Sequence, residues 1–241
     1  MKCILLVGGY ARRMYPLTEN VPKPLLKVND KTVLDIILDI IDGSTNEIDE
    51  YILITNETFY ENFVAWSESS KYREKIKIIS DGSTSNEKKV GATTALIQTL
   101  TSYEVDDDVL VLAGDNILDF SLDYIFKYFM NNPYSCIMYY NEDKNEKLRK
   151  TGVIEIDCDD FVSSMEEKPE KPKSPHAVPP FYWLKKEDVK KLIKKFENTS
   201  HIDSLGTIIL KLCEETKIKA IKMHGKRYDV GSLDEYYKLL A

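Results

Sequence analysis

Four short apolar runs recur along the first half of the chain, at residues 2–7, 51–55, 75–80 and 109–113, with helical patterns between them. Each run is continuous and short, the signature of a strand buried on both faces. Between the first two, Val33, Ile36, Ile37, Ile40 and Ile41 repeat at helical spacing over residues 32–41, with Asp30 as the expected cap. Phe59, Phe63 and Trp66 mark a second helix over 57–66, and a third, over 92–100, is entered through Gly91. Strand and helix alternating at this spacing specify an α/β fold with a parallel, doubly wound sheet. Such sheets bind ligands beyond the carboxyl ends of their strands. Two glycine turns sit at those ends: Gly8-Gly9 after the first run, and Gly114, followed by Asp115, after the fourth.

The first of these turns leads into cations. Arg12 and Arg13 follow Gly8 and Gly9, and Lys23 is bracketed by Pro22 and Pro24. Glycines let main-chain N–H groups approach phosphate oxygens, and Arg13 and Lys23 can neutralise their charge. An ordinary strand-to-helix turn would explain the glycines but not a lysine clamped between two prolines. Phosphate binding is the reading that accounts for both.

After Asp115 the pattern changes. A helix is expected over 121–130, a strand over 134–140, and a hairpin from 153–157 and 161–165 turning at 158–160. Residues 167–180, rich in proline and lysine, are expected to form no core element. A strand at 181–184, helices at 188–196 and 205–213, a strand at 218–223 and a closing helix at 233–240 complete the reading. No repeat or linker divides the chain. One domain is expected over 1–241, with a nucleotide-binding half (1–120) and an acceptor-binding half (121–241).

Composition narrows the partners. A net charge of -7 argues against a nucleic-acid binder, and 43% hydrophobic residues suit a globular protein with a full core. The four cysteines form no CxxC pair, so reduced thiols and a cytoplasmic location are expected. No stretch is long enough to span a bilayer, so no membrane partner is expected. His176, His201 and His224 share no short spacing, and GxSxG, HExxH and P-loop patterns are absent. What remains are carboxylates and cations. Asp115 follows a small-residue turn at a strand end, and Asp229 lies between a late strand and a helix. Taken singly each is an ordinary turn aspartate, but together they make a paired Mg²⁺ site plausible. Lys168, held extended by Pro169, is placed to reach a phosphate.

These residues resemble one family, the sugar-1-phosphate nucleotidyltransferases. Its opening signature, GGxGTRLxPLTxxxPKPL, is similar to the stretch from Gly8 to Thr18 followed by Pro22-Lys23-Pro24-Leu25. Further landmarks recur in order. They are the GTAxAL-like Gly91-Ala92-Thr93-Thr94-Ala95-Leu96, the GD of Gly114-Asp115, Thr151-Gly152-Val153, Glu167-Lys168-Pro169, and Tyr228-Asp229-Val230-Gly231-Ser232. The resemblance implies a Rossmann-like nucleotidyltransferase fold with a sugar-binding insertion. It also implies one phosphoryl transfer, in which a sugar-1-phosphate oxygen attacks the α-phosphate of an NTP and pyrophosphate leaves. In that reaction Arg13 would hold the triphosphate, Lys23 would neutralise the α-phosphate, and Asp115 and Asp229 would hold Mg²⁺. Gly8, Gly9, Ala11, Arg12, Gly91 and Gly114 would lie against the nucleotide, and Gly152, Glu167 and Lys168 against the acceptor.

The chain departs from the signature at four places. Ala11 stands at its third glycine, compatible with a turn that is not left-handed, and Arg12 stands at its threonine. Thr151 replaces the tyrosine of the family's YGV, and Val178-Pro179-Pro180 replaces a small-residue turn beside the sugar. Pro180 offers no N–H there. Glucose-1-phosphate with dTTP or UTP is the leading pair by family frequency. A phosphocholine cytidylyltransferase is the alternative within the same chemistry, and a non-catalytic nucleotide- or sugar-binding module the alternative outside it. No appended β-helix is expected. The base and the oligomeric state are not legible.

Overall fold

The structure, a computed structural model, describes residues 1–197, 202 and 204–240; His201 falls outside them. Its chain is divided between two units interleaved in sequence. The first comprises Met1–Val90, Leu112–Tyr124 and Gly225–Ala241, and the second Gly91–Val111 and Ile125–His224.

In the first unit the strand Lys2–Leu6 lies parallel to Glu50–Thr55, which lies parallel to Ile76–Ser80; Ile4 faces Ile52, and Leu53 faces Ile78. Cys3, Ile4 and Leu5 are wholly buried, as a strand covered on both faces requires. A further strand, Val109–Ala113, ends within this unit. The helix Val33–Asp42 buries Val33, Leu34, Ile37, Leu38 and Ile41. Its cap is Thr32 and not Asp30. The Thr32 hydroxyl accepts from the Asp35 N–H while the Asp35 carboxylate accepts from the Thr32 N–H, so a reciprocal capping box starts the helix two residues beyond Asp30.

A two-stranded antiparallel ribbon, Asn116–Leu118 with Arg227–Asp229, belongs to the same unit, and in it Asp229 pairs with Asn116. Three residues a strand is too short for periodicity to register, so neither strand is legible in the pattern. Asp229 therefore lies inside a strand.

The second unit holds a mixed sheet in the order Val162–Glu167, Gly152–Ile156, His176–Val178, Ser135–Asn141, Phe181–Leu184, with Ile218–Lys222 parallel to Ser135–Asn141. The expected hairpin is present, antiparallel, with Glu167 opposite Gly152. The stretch 167–180 does contribute a core element. His176–Val178 pairs on both sides, with Gly152–Ile156 and with Ser135–Asn141, and Ala177 and Val178 are buried. Its three residues satisfy their backbone groups through two neighbours, which composition cannot reveal. The helix Lys186–Phe196 is tied to this sheet by buried Asp188, which accepts from Ser135 Oγ at 2.5 Å and pairs with Lys191 at 2.8 Å.

Candidate active site

Gly114 decides where Asp115 goes. Its N–H donates to the Leu6 carbonyl at 3.0 Å, and a Cβ at this position would stand 2.5 Å from Val7 Cγ1. A side chain here would have to displace Val7, so glycine suits the close approach, and the turn delivers Asp115 beside Lys23. Pro22 is extended, and Lys23–Leu25 forms a single 3₁₀ turn over buried Pro24, so the backbone under the lysine is held on both sides. Lys23 Nζ meets Asp115 Oδ2 at 2.5 Å, with the two side chains 15% and 26% exposed. The other oxygen, Asp115 Oδ1, accepts from Asn116 Nδ2 at 2.5 Å. Arg227 donates from Nη1 to Asn116 Oδ1 and stands 3.3 Å from Asp229 Oδ2. The Val230 N–H, donating to the Asp115 carbonyl at 3.0 Å, closes the ribbon.

The Asp229 carboxyl feels its neighbours. Burial raises its pKa, and the Asp115 carboxylate raises it further, while Arg227 and Lys23 pull it down. Among the described residues no three His, Cys, Asp or Glu side chains gather into an ion-holding group. The pair fits Mg²⁺ nonetheless, because that ion takes one or two carboxylates and completes its shell with phosphate oxygens and water.

The phosphate-loop candidates lie in the same unit. The Gly8 carbonyl accepts from Asn56 Nδ2 at 2.8 Å, Gly9 is exposed, and Tyr10 donates from its buried hydroxyl to the Ser83 carbonyl at 3.1 Å. Ala11 is left-handed, at φ 46° and ψ 39°, against the expectation for an alanine here. The position is over-determined: the Ala11 carbonyl accepts from the Met14 N–H at 2.8 Å and from buried Thr18 Oγ1 at 2.9 Å. That holds a methyl in a region costing about 1–2 kcal/mol. Arg12 points outward and pairs with Glu87 at 2.6 Å, both more than half exposed. Arg13 is exposed and has no ion-pair partner among the described residues, leaving its guanidinium available for an anion.

The remaining candidates belong to the second unit. Gly91 precedes the helix Ala92–Ser102 at φ 99°, which a side chain would resist. Glu167 sits among glycines. A Cβ on Gly152 would come 3.3 Å from Glu167 Oε2, and one on Gly206 would come within 1.9 Å of it. Burial pushes the Tyr182 hydroxyl well up, and the Glu167 carboxylate adds to that rise. Glu167 and Gly152 are thus brought together. Lys168 is not extended: it sits at φ 49° with its N–H donating to the Thr151 carbonyl, its Nζ 3.9 Å from Glu167 and its side chain 59% exposed. The proline after it excludes the helical region, and the Thr151 contact selects the left-handed one. Thr151 also donates from Oγ1 to the Val178 carbonyl at 2.9 Å, pinning the turn before Pro179.

Asn116, Arg227, Asn56 and Gly206 were not candidates from sequence. Arg227 and Asn116 flank residues that were, and adjacency to Asp229 and Asp115 was the available signal. Nothing local marks Asn56 or Gly206.

An α/β scaffold with a glycine turn after its first strand and a lysine-bound carboxylate at the end of another is of the doubly wound kind, which binds its ligands at such strand ends. The chain belongs to the nucleotidyl transferase family, whose model matches residues 2–241. It is 30% identical over 232 residues to the bifunctional protein GlmU of Methanocaldococcus jannaschii, covering 96% of this chain and 51% of that protein. To the glucose-1-phosphate thymidylyltransferase of Streptomyces antibioticus it is 29% identical over 186 residues, covering 76% of this chain and 49% of that one. The chain thus spans about half the length of these curated relatives. A UDP-glucose pyrophosphorylase solved with UDP-glucose superposes with a TM-score of 0.82 at 20% identity, covering 99% of this chain and 96% of that one. The UDP-glucose pyrophosphorylase from Acinetobacter baumanii superposes at 0.76 and 19% identity, covering 99% and 91%. The fold is theirs.

Proposed function

We propose that this chain is a Mg²⁺-dependent nucleotidyltransferase that transfers NMP from an NTP to a sugar-1-phosphate, releasing pyrophosphate. The observation that carries the reading is the gathering of Lys23, Asp115 and Asp229 at the Gly114 turn, in a member of the nucleotidyl transferase family. Asp115 and Asp229 would hold the metal, which when bound supplies positive charge across the phosphate oxygens. Lys23, with three N–H donors, can keep one on Asp115 and turn another to the α-phosphate as charge builds there. Arg13 would take the β- and γ-phosphates that leave. Gly8, Gly9, Ala11, Arg12, Gly91 and Gly114 would lie along the nucleotide, and Glu167, with both oxygens acceptors, would take hydroxyl donors of the acceptor beside Gly152. Lys168, its side chain exposed, would meet the acceptor phosphate. Four free cysteines and the absence, among the described residues, of a helix able to cross a membrane support a cytosolic setting for such a reaction.

The test is pyrophosphate release from each common NTP against a panel of phosphorylated acceptors. Turnover is expected with a sugar-1-phosphate, glucose-1-phosphate with dTTP or UTP first. Turnover with phosphocholine and CTP alone would overturn the acceptor assignment, and no release with any pair would overturn the enzyme.

A further inference from the structure

Arg227 takes no part in the chemistry described so far, yet it stands at its centre. Residues two apart on a strand share a face, so Arg227 and Asp229 project together, and Asn116 lies opposite Asp229 on the facing strand. Arg227 Nη1 serves both carboxylates: Asp229 directly, at 3.3 Å, and Asp115 through the side-chain amide of Asn116. Asn116 is 3% exposed and the Arg227 side chain 18%, while Asp229, at 43%, leaves the pair partly open to solvent. Lys23 holds the remaining oxygen of Asp115. Two carboxylates are therefore balanced by two cations before any ligand arrives. Glu235, the other carboxylate near Asp229, is exposed and bonded to Ser232, where water screens it.

A bare divalent ion gains little from a pair already neutralised, and meets the repulsion of two cations. A metal triphosphate carries its own negative charge, to which the same cations are attractive. We propose that Arg227 is a positioning residue that sets the charge of this site, so that it retains a divalent ion together with its triphosphate and not alone. The inference rests on the reading of Asp115 and Asp229 as the metal-holding pair.

Mn²⁺ titrated into the full chain, followed by the electron paramagnetic resonance signal of the free ion and corrected with protein-free nucleotide for the ion that UTP or dTTP chelates by itself, tests it. Wild-type protein is expected to bind Mn²⁺ weakly alone and more tightly with UTP or dTTP present. Arg227→Gln is expected to bind Mn²⁺ alone about tenfold more tightly, the scale of removing one charge a few ångströms away in a partly solvated site. Arg227→Lys, which keeps the charge, should stay near wild type. Unchanged or weaker binding of the bare ion by a folded Arg227→Gln overturns the proposal. If that variant does not fold, wild-type protein holding bare Mn²⁺ as tightly as with nucleotide overturns it as well. Asp229→Asn separates the two readings. Loss of nucleotide-linked Mn²⁺ in that variant, with Arg227→Gln unchanged, sinks only the role of Arg227; no effect in either sinks the metal pair.

Discussion

The two units hold their candidate residues in opposite ways. In the first, every charge of the Asp115 site has a partner: Lys23 on Asp115, and Arg227 on Asp229. In the second, Glu167 is packed against places where no side chain exists, Gly152 and Gly206, and its neighbour Lys168 stands off at 3.9 Å. The first is a site organised by charge, the second by shape. Groups that stabilise developing charge must be oriented before the reaction, and ion pairs orient them. A group proposed to take hydroxyls needs room, and glycine supplies it.

Removing a charge from the first region should have the largest effect of any change considered. Asp115→Asn frees Lys23 and, on the proposed reading, leaves one metal donor, so pyrophosphate release should fall by about 10³-fold or more while the fold persists. Steady-state kinetics beside a thermal melt would check this, and retention of more than a tenth of the rate would break the comparison. Filling the room in the second region should act differently. Gly206→Ala places a methyl on Glu167 Oε2, so the carboxylate must move. The acceptor KM should rise roughly tenfold or more with the nucleotide KM unchanged, as a misplaced contact group implies.

The charge-organised region should also have its own pH signature. Asp229 is raised by burial and by Asp115, so in the folded protein it protonates above the usual aspartate range. The folded state then binds more protons than the unfolded state between the two pKa values. This carboxyl therefore lowers stability as pH rises through that window and restores it as pH falls. Carboxyl carbon titration by NMR should find Asp229 high in wild type and lower in Asp115→Asn, with a remainder due to burial. An unmoved value would show the two carboxylates to be independent. The smallest effect is expected at Ala11. Ala11→Gly relieves the left-handed methyl but loosens the unfolded chain, a net gain of about 0.5–1 kcal/mol, visible as a small rise in Tm. A loss of stability would mean that the methyl packs.

The difference between the regions also tracks what the sequence could disclose. The parallel strands of the first unit were legible because each is a short apolar run; Gly8, Gly114 and Asp115 follow from what stands at the strand ends, and Lys23 from the prolines on either side of it. The ribbon that carries Asp229 was not, since three-residue strands leave no period, and Arg227 and Asn116 acquire their roles only through that pairing. Ala11 and Lys168 depart from expectation for one reason: their φ angles are set by hydrogen bonds with Met14, Thr18 and Thr151, tertiary facts that override residue preference. Gly206 is the clearest omission. Its importance lies in a carboxylate some forty residues earlier in the chain, and no local pattern refers to it.

The Thr151 hydroxyl on the Val178 carbonyl has a consequence for selectivity. Two successive prolines already remove freedom at φ, Phe181 beyond them is buried, and the Phe181 N–H closes on the Pro179 carbonyl at 2.8 Å. With its entrance also anchored, this turn, beside the acceptor on the proposed reading, has few torsions left to lose on binding. It should therefore discriminate by exclusion, admitting what already fits at little entropic cost, and it cannot remodel itself around what does not.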